Sequence, residues 1–191
     1  MPAEPEPGPV LETERLVLRR FRDADREPFA ALNADLEVMR HFPAALDREQ
    51  SDALIDRIEA HFDEHGFGLW AVELADTGAL AGFVGLAIPR FEAAFTPCVE
   101  VGWRLAREHW GAGIAPEAAE RALRFGFGEA GLDEIVSFTS QANAPSRRVM
   151  EKLGMQHDPA DDFEHPSVAE GSHLRCHVLY RLSRAQWKAG Q

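Results

Sequence analysis

The stretch of this chain best equipped for chemistry is Glu100-Val-Gly-Trp-Arg-Leu-Ala-Arg-Glu-His-Trp-Gly-Ala-Gly-Ile-Ala-Pro-Glu-Ala-Ala119, a strand-like run, then a glycine loop, then an Ala-rich helix. This layout can bind an anion. Gly111 and Gly113 let the backbone turn with its N–H groups facing inward, and the first turn of the following helix adds donors that no carbonyl satisfies. Ala115, read as the helix N-cap, has no side chain to compete for them. Each charge met by a helix N-terminus gains about 0.3–1 kcal/mol, up to ~2 when partly buried, so two phosphates shared among several amides form a workable anchor. A plain tight turn before a helix is the alternative.

Other phosphate loops fit less well. There is no Gly-x-x-x-x-Gly-Lys-[Ser/Thr] segment, which argues against nucleotide hydrolysis of that type. A dinucleotide fold would accept Asp133, which lies about 20 residues beyond the glycines, but Pro116 stands where a third small residue should pack helix on strand. His165, His173 and His177, with Asp161, Asp162 and Cys176, have the ligand chemistry of a zinc site. Strand alternation separates Cys176 from His173 and His177, however, and no metal is expected. Cys98 has no neighbouring histidine to activate it as an acyl carrier. The two cysteines read as structural thiols of a reducing, cytoplasmic compartment, with a single Cys98–Cys176 bridge as the alternative.

These residues are positioned by an ordered set of elements. Leu16 to Phe21 alternates like a strand, and Asp23 to Asp25 supply a helix start. Apolar residues recur at helical spacing in Arg26 to Arg40 and again through Leu54, Ile55, Ile58 and Phe62 after Asp47. Phe67 to Leu74 and Leu80 to Ile88 flank the turn Asp76-Thr-Gly78 and predict a hairpin, and Val99 to Leu105 predicts a further strand. A helix is expected over Ala115 to Ala130, a strand over Glu134 to Thr139, and a helix over Asn143 to Leu153 with Gly154 as its stop. His173 to Leu182 predicts the last strand. The order β-α-α-β-β-β-α-β-α-β describes an α+β domain over residues 11–191, behind a disordered tail over residues 1–10.

Composition narrows the function. Of 191 residues, 45% are hydrophobic and 27% charged, which suits a globular core. Twenty Lys and Arg against 32 Asp and Glu leave a net charge of −12, which repels nucleic acid and anionic membrane surfaces. The longest apolar run, Leu80 to Ile88, falls far short of the roughly 20 residues of a membrane span.

Three segments in order, Glu100-Val-Gly-Trp103, His109-Trp-Gly-Ala-Gly-Ile-Ala-Pro-Glu-Ala118 and Asn143-Ala-Pro-Ser-Arg-Arg-Val-Met-Glu-Lys-Leu-Gly-Met155, resemble the GNAT superfamily of N-acetyltransferases. Together with Leu11-Glu-Thr-Glu-Arg-Leu-Val-Leu-Arg-Arg20, they are most similar to its branch of ribosomal-protein alanine acetyltransferases, RimJ and RimL. The resemblance runs from about Leu11 to Tyr180. It implies a mixed, mostly antiparallel twisted sheet flanked by helices and, as cosubstrate, acetyl-CoA, with no metal. The loop His109, Trp110, Gly111, Ala112, Gly113, Ile114 and Ala115 would take the diphosphate. The pantetheine arm would follow the strand through Val101 and Trp103 to Leu105. Where the family has Gln or Arg three residues before the first glycine, this chain has Glu108, and Arg107 would stand in.

The implied reaction moves acetyl directly to a primary amine, a protein N-terminus or a small amine, within a ternary complex. Glu100 is the candidate general base, through water, and amides near Val101 to Trp103 the candidate oxyanion donors. The resemblance adds Asn143 as a CoA-positioning side chain and Ser146 as proton donor to sulfur. Helix capping explains both residues equally. The only tyrosine, Tyr180, lies in the last strand, away from the acid's expected place. Arg148, with Arg147 and Lys152, could meet the remaining phosphate. Acceptor specificity is expected in Arg26 to His65 and in the loops Phe91–Pro97 and Asp158–Gly171. A non-catalytic acyl-CoA sensor and a dinucleotide-binding oxidoreductase are the alternatives, and the protein is expected to be a monomer or homodimer.

Overall fold

The computed structural model describes residues 8–190. Most of the expected disordered tail, residues 1–7, lies outside that range. Pro9 is held where the chain enters the fold, its carbonyl accepting a hydrogen bond from the Trp70 indole at 2.8 Å.

The strands are β1 (Leu11–Glu12), β2 (Leu16–Arg19), β3 (Leu69–Leu74), β4 (Leu80–Ala87), β5 (Glu100–Leu105), β6 (Glu134–Ser140), β7 (Gln156–His157), β8 (Phe163–Glu164) and β9 (Cys176–Ser183). The helices are α1 (Arg26–Ala34), α2 (Arg48–His65), α3 (Ile114–Phe127), α4 (Ala144–Lys152) and α5 (Arg184–Ala189). The strands form one sheet in the order β1-β2-β3-β4-β5-β6-β9-β7, with β8 also on β9. Every pairing is antiparallel except β5 with β6. This is the expected α+β architecture. It removes the dinucleotide alternative, whose sheet would be built from parallel strands joined by helical crossovers.

Local chemistry explains the element ends. Asp47 caps α2 by accepting from Gln50 N at 2.8 Å, while Gln50 Oε1 accepts from Asp47 N, a reciprocal capping box. The first helix is shorter than its apolar spacing predicts. It stops at Ala34 because Asp35 turns extended and its carboxylate accepts from Glu37 N at 2.8 Å, a local bond that competes with the helix. Leu36, expected on the buried face, is 77% exposed, whereas Val38 and Met39 turn back onto Leu32 in a separate small cluster. Likewise α3 begins at Ile114, so its N-cap is Gly113 rather than Ala115. Strands β1, β7 and β8 and helix α5 add to the expected order.

The core is continuous across the sheet. Trp70 is fully buried edge-on between Phe62 of α2 and Phe125 of α3. On β5, Val101 and Leu105 join this core with Ile114, Ala118 and Ala122 of α3. Alternation therefore turns Glu100, Gly102 and Arg104 to the opposite face. There Phe29 of α1 meets Phe83 of β4 at 6.0 Å between ring centroids, and Phe83 lies directly across from Arg104.

Candidate active site

Strands β5 and β6 are registered only at Glu100↔Val136, with Val136 N donating to Val99 O. Beyond that pair they part, and a cleft of about 830 Å³ opens there. The glycine loop and α4 border it on one side, and the chain segments Glu37–Pro43 and His165–Val168 on the other.

Gly111 (φ 75°) and Gly113 (φ 80°) both adopt the left-handed conformation that glycine permits. The turn before them spends the amides of His109 and Trp110 on Ala106 O and Arg107 O. The next five amides, of Gly111, Ala112, Gly113, Ile114 and Ala115, meet no acceptor among the described residues. Pro116 has no N–H, and Glu117 N returns to Gly113 O at 3.2 Å. No side chain caps α3. Five consecutive free donors at a helix N-terminus are an anion cradle.

The cradle is braced from outside. Arg15 donates to Ala112 O at 3.1 Å and to Glu117 at 2.8 Å, and Thr13 Oγ1 donates to Glu117 Oε1 at 2.6 Å. These partners lie about a hundred residues from the loop in sequence, so spacing gave no sign of them. The Trp110 indole donates to Leu105 O at 2.9 Å, tying the loop to the end of β5.

Of the residues singled out in the sequence, Glu100, Trp103, Leu105, His109, Trp110, Gly111, Gly113, Ile114, Ala115, Asn143, Ser146 and Arg148 all line this cleft. Three others do not. Val101 points into the core, its carbonyl accepting from Ser137 Oγ at 2.8 Å. Arg107 is exposed in the turn before the loop, outside the lining. Ala112 contributes only its amide, since its side chain is exposed and its carbonyl is held by Arg15. Arg147 also turns away, toward the Tyr180 hydroxyl at 3.4 Å, leaving Arg148 and Lys152 on the cleft.

The Glu100 carboxyl lies over Gly102, its Oε1 3.6 Å from the position a Cβ there would take. Burial pushes its pKa from 4.5 up to about 8, with no cation nearby to oppose the shift. Ser146 Oγ lies 3.3 Å from the Trp103 indole N–H. An indole can only donate, so Ser146 accepts there and keeps its own hydrogen for another partner. Asn143 Oδ1 caps α4 through Ser146 N at 3.3 Å, and its amide donates to Thr139 Oγ1 at 2.9 Å, which fixes Ser146 relative to β6.

On the main chain of β5, Ala106 N donates to Ala81 O. Antiparallel alternation then turns the amides of Val101, Trp103 and Leu105 toward β6. The Glu100↔Val136 register occupies the Val101 edge, so the amide at Trp103 is the first to face the opening.

Tyr180 is buried, donates to Glu151 Oε1 at 3.2 Å and is not part of the lining. Both cysteines are free, and burial pushes the Cys98 thiol up to about 11. His165 and His177 stand 4.8 Å apart between ring centroids beside Phe138, with His165 driven down to about 4 by burial. Among the described residues no three His, Cys, Asp or Glu side chains are grouped to hold a metal ion. Of the loops expected to face the acceptor, His165–Val168 reaches the cleft, while Phe91 and Phe95 pack behind it on Phe138 and Phe163. No described helix is long and apolar enough to cross a membrane.

A parted pair of parallel strands, with a free-amide loop at its mouth, forms a cleft suited to an anionic ligand. Residues 15–156 match the family model described as the acetyltransferase (GNAT) domain, and the chain belongs to that family. The uncharacterized N-acetyltransferase YoaA of Bacillus subtilis is 32% identical over 155 residues, 78% of this chain and 83% of YoaA. The FsC-acetyl coenzyme A-N(2)-transacetylase of Aspergillus fumigatus is 30% identical over 193 residues, 94% of this chain and 78% of that protein.

Among solved structures, a GNAT-family acetyltransferase from Bacillus anthracis superposes with a TM-score of 0.76 at 24% identity, covering 93% of this chain and 99% of that one. Mycobacterium smegmatis RimJ in complex with CoA-disulfide gives 0.70 at 18% identity, covering 97% and 95%. The chain is an acetyltransferase.

Proposed function

We propose that residues 11–191 act as one N-acetyltransferase domain that passes acetyl from acetyl-CoA directly to a primary amine, with donor and acceptor bound together. The observation that carries this reading is the run of five unpaired amides, Gly111 to Ala115, on the same cleft as Glu100 and Ser146. Acetyl-CoA supplies an activated thioester and a diphosphate. The amides of the loop hold the diphosphate, Arg148 and Lys152 offer cations to its third phosphate, and Asn143 fixes the α4 end of the site.

Glu100, in its ionised form, takes a proton from the bound ammonium through water, and the neutral amine that results attacks the thioester carbonyl. A pKa near 8 leaves a working fraction of carboxylate close to neutral pH and makes that carboxylate basic enough to take a proton from an ammonium. The Trp103 amide donates where negative charge develops on the thioester oxygen. Ser146, held by the Trp103 indole, donates its hydrogen to the departing sulfur. Cys98 takes no part, because a thiol at about 11 is not a nucleophile at neutral pH.

The likeness to RimJ supports the fold and leaves the protein N-terminus as one acceptor class beside small amines. The two free cysteines suit a cytoplasmic setting. Calorimetry with acetyl-CoA, followed by thiol-release kinetics on an amine panel, tests the proposal. Micromolar binding with thiol release only when an amine is present supports it. Binding without release on any amine replaces it with the acyl-CoA sensor.

A further inference from the structure

The cleft contains a cation that the fold does not neutralise. Arg104 lies four residues beyond Glu100 on the same face of β5 and lines the cleft. Its guanidinium carbon sits 4.2 Å from the centroid of the Phe42 ring and 5.3 Å from that of Phe83. Nη1 donates to Asn33 Oδ1 at 2.6 Å, and Asn33 is itself held by its amide donating to Ser51 Oγ at 2.9 Å. The other edge of the guanidinium is unused. Nε is buried with no acceptor, and Nη2 meets none among the described residues. Burial lowers the pKa only to about 10, with no carboxylate opposing it, so the group keeps its charge.

This arrangement is costly unless something completes it, because a buried charge without a counter-ion loses hydration that two aromatic rings and one neutral hydrogen bond only partly replace. The Nε–Nη2 edge is the planar fork that takes a carboxylate through two parallel hydrogen bonds. A brace for the Phe42 loop would need the cation and the Asn33 bond, but would not leave Nε and Nη2 without acceptors.

The surrounding anions do not fill that role. Glu37, on the rim, is paired with Arg40 at 3.4 Å, and Glu100 is held mostly protonated at neutral pH by its burial. Between Glu100 and Arg104 the wall is apolar, with Leu69, Phe83 and Ala87 in the lining. Four strand residues span about 13 Å.

We propose that Arg104 receives a carboxylate of the acceptor, so that the amine acetylated in this cleft belongs to a molecule whose carboxylate and amine are set apart by a methylene stem, an ω-amino acid or an amino acid with a side-chain amine, and not to a simple alkylamine or polyamine. This rests on the acetyl-transfer reading of the same cleft. The carboxylate docks on the Nε–Nη2 fork, a methylene stem covers the apolar wall, and the amine reaches Glu100.

The test uses matched pairs that differ only in the carboxylate: 6-aminohexanoate with pentylamine, and L-lysine with cadaverine. Each is titrated calorimetrically into the CoA-loaded protein and assayed for acetylation with acetyl-CoA. At least one carboxylate member should bind about 10- to 100-fold more tightly than its partner, the range of a charge-assisted bidentate contact. Arg104→Met should close that gap by weakening the carboxylate member, and Arg104→Lys should restore only part of it.

Equal affinity within every pair for the unaltered protein overturns the proposal, whether or not the variants fold. A gap that survives Arg104→Met also overturns it. Discrimination without thiol release from any amine would sink the transferase reading and leave the Arg104 assignment standing. Equal kcat/KM within every pair would do the reverse.

Discussion

Glu100→Gln separates two consequences of one buried carboxyl. The folded protein raises this pKa from 4.5 to about 8, so it holds a proton that the unfolded chain has already released. Stability attributable to Glu100 is therefore greatest below about pH 4.5 and is lost as pH rises toward 8. The full shift corresponds to roughly 5 kcal/mol, about 3 of it already incurred at pH 7, and water entering the open cleft reduces this to a few kcal/mol.

Glutamine has the same shape and no charge to bury. The variant should melt at least about 5 °C higher than the parent at pH 8 and within about a degree of it at pH 4, using roughly 2–4 °C per kcal/mol for a chain of this size. Over the same range its kcat should fall about 10²- to 10⁴-fold, and the rise of the parent's rate through pH 8 should disappear. Calorimetric melts at the two pH values and a pH–rate profile provide both readouts. Unchanged kcat removes Glu100 from the base role. An equal melting gain at both pH values refutes the burial argument.

Three further outcomes follow from the site. Gly113→Val places a branched side chain at φ 80° and should weaken acetyl-CoA affinity at least tenfold in calorimetry, with a smaller change in kcat at saturation. Ser146→Ala should lower kcat while leaving the acetyl-CoA Kd within about twofold, because Asn143 still caps α4; a fall in affinity alone would assign Ser146 to binding. Cys98→Ser should retain most of its rate, and a thiol-blocking reagent at pH 7 should leave the parent active, since burial holds that thiol near 11; inactivation would point to a covalent route.

The parts of the fold set by strong local signals were legible in the sequence. The α2 start at Asp47, the hairpin across Asp76-Thr-Gly78 and the left-handed glycines before α3 each depend on neighbours within a few residues. The overextended α1 was not, because Leu36 and Met39 keep a helical spacing that the Asp35 side chain interrupts. Strands β7 and β8 are two residues long, too short for any alternation to show. The α5 start could have been found from Ser183-x-x-Gln186, a capping-box pattern.

In the site, the amide cradle was readable because glycines and a helix start are local features. Its brace of Thr13, Arg15 and Glu117 was not, since those contacts cross about a hundred residues. Arg104 is the instructive omission. Strand alternation alone puts it on the Glu100 face, yet a lone arginine on a strand reads as a solvent-facing charge until Phe42 and Asn33, distant in sequence, are seen to enclose it.

The hold of main-chain amides on the diphosphate is read most directly by nuclear magnetic resonance titration of 15N-labelled protein with CoA, using adenosine as the control without phosphates. The amide resonances of Gly111, Ala112, Gly113, Ile114 and Ala115 should move together with CoA and stay in place with adenosine. Saturable CoA binding that leaves those five resonances unmoved would contradict it.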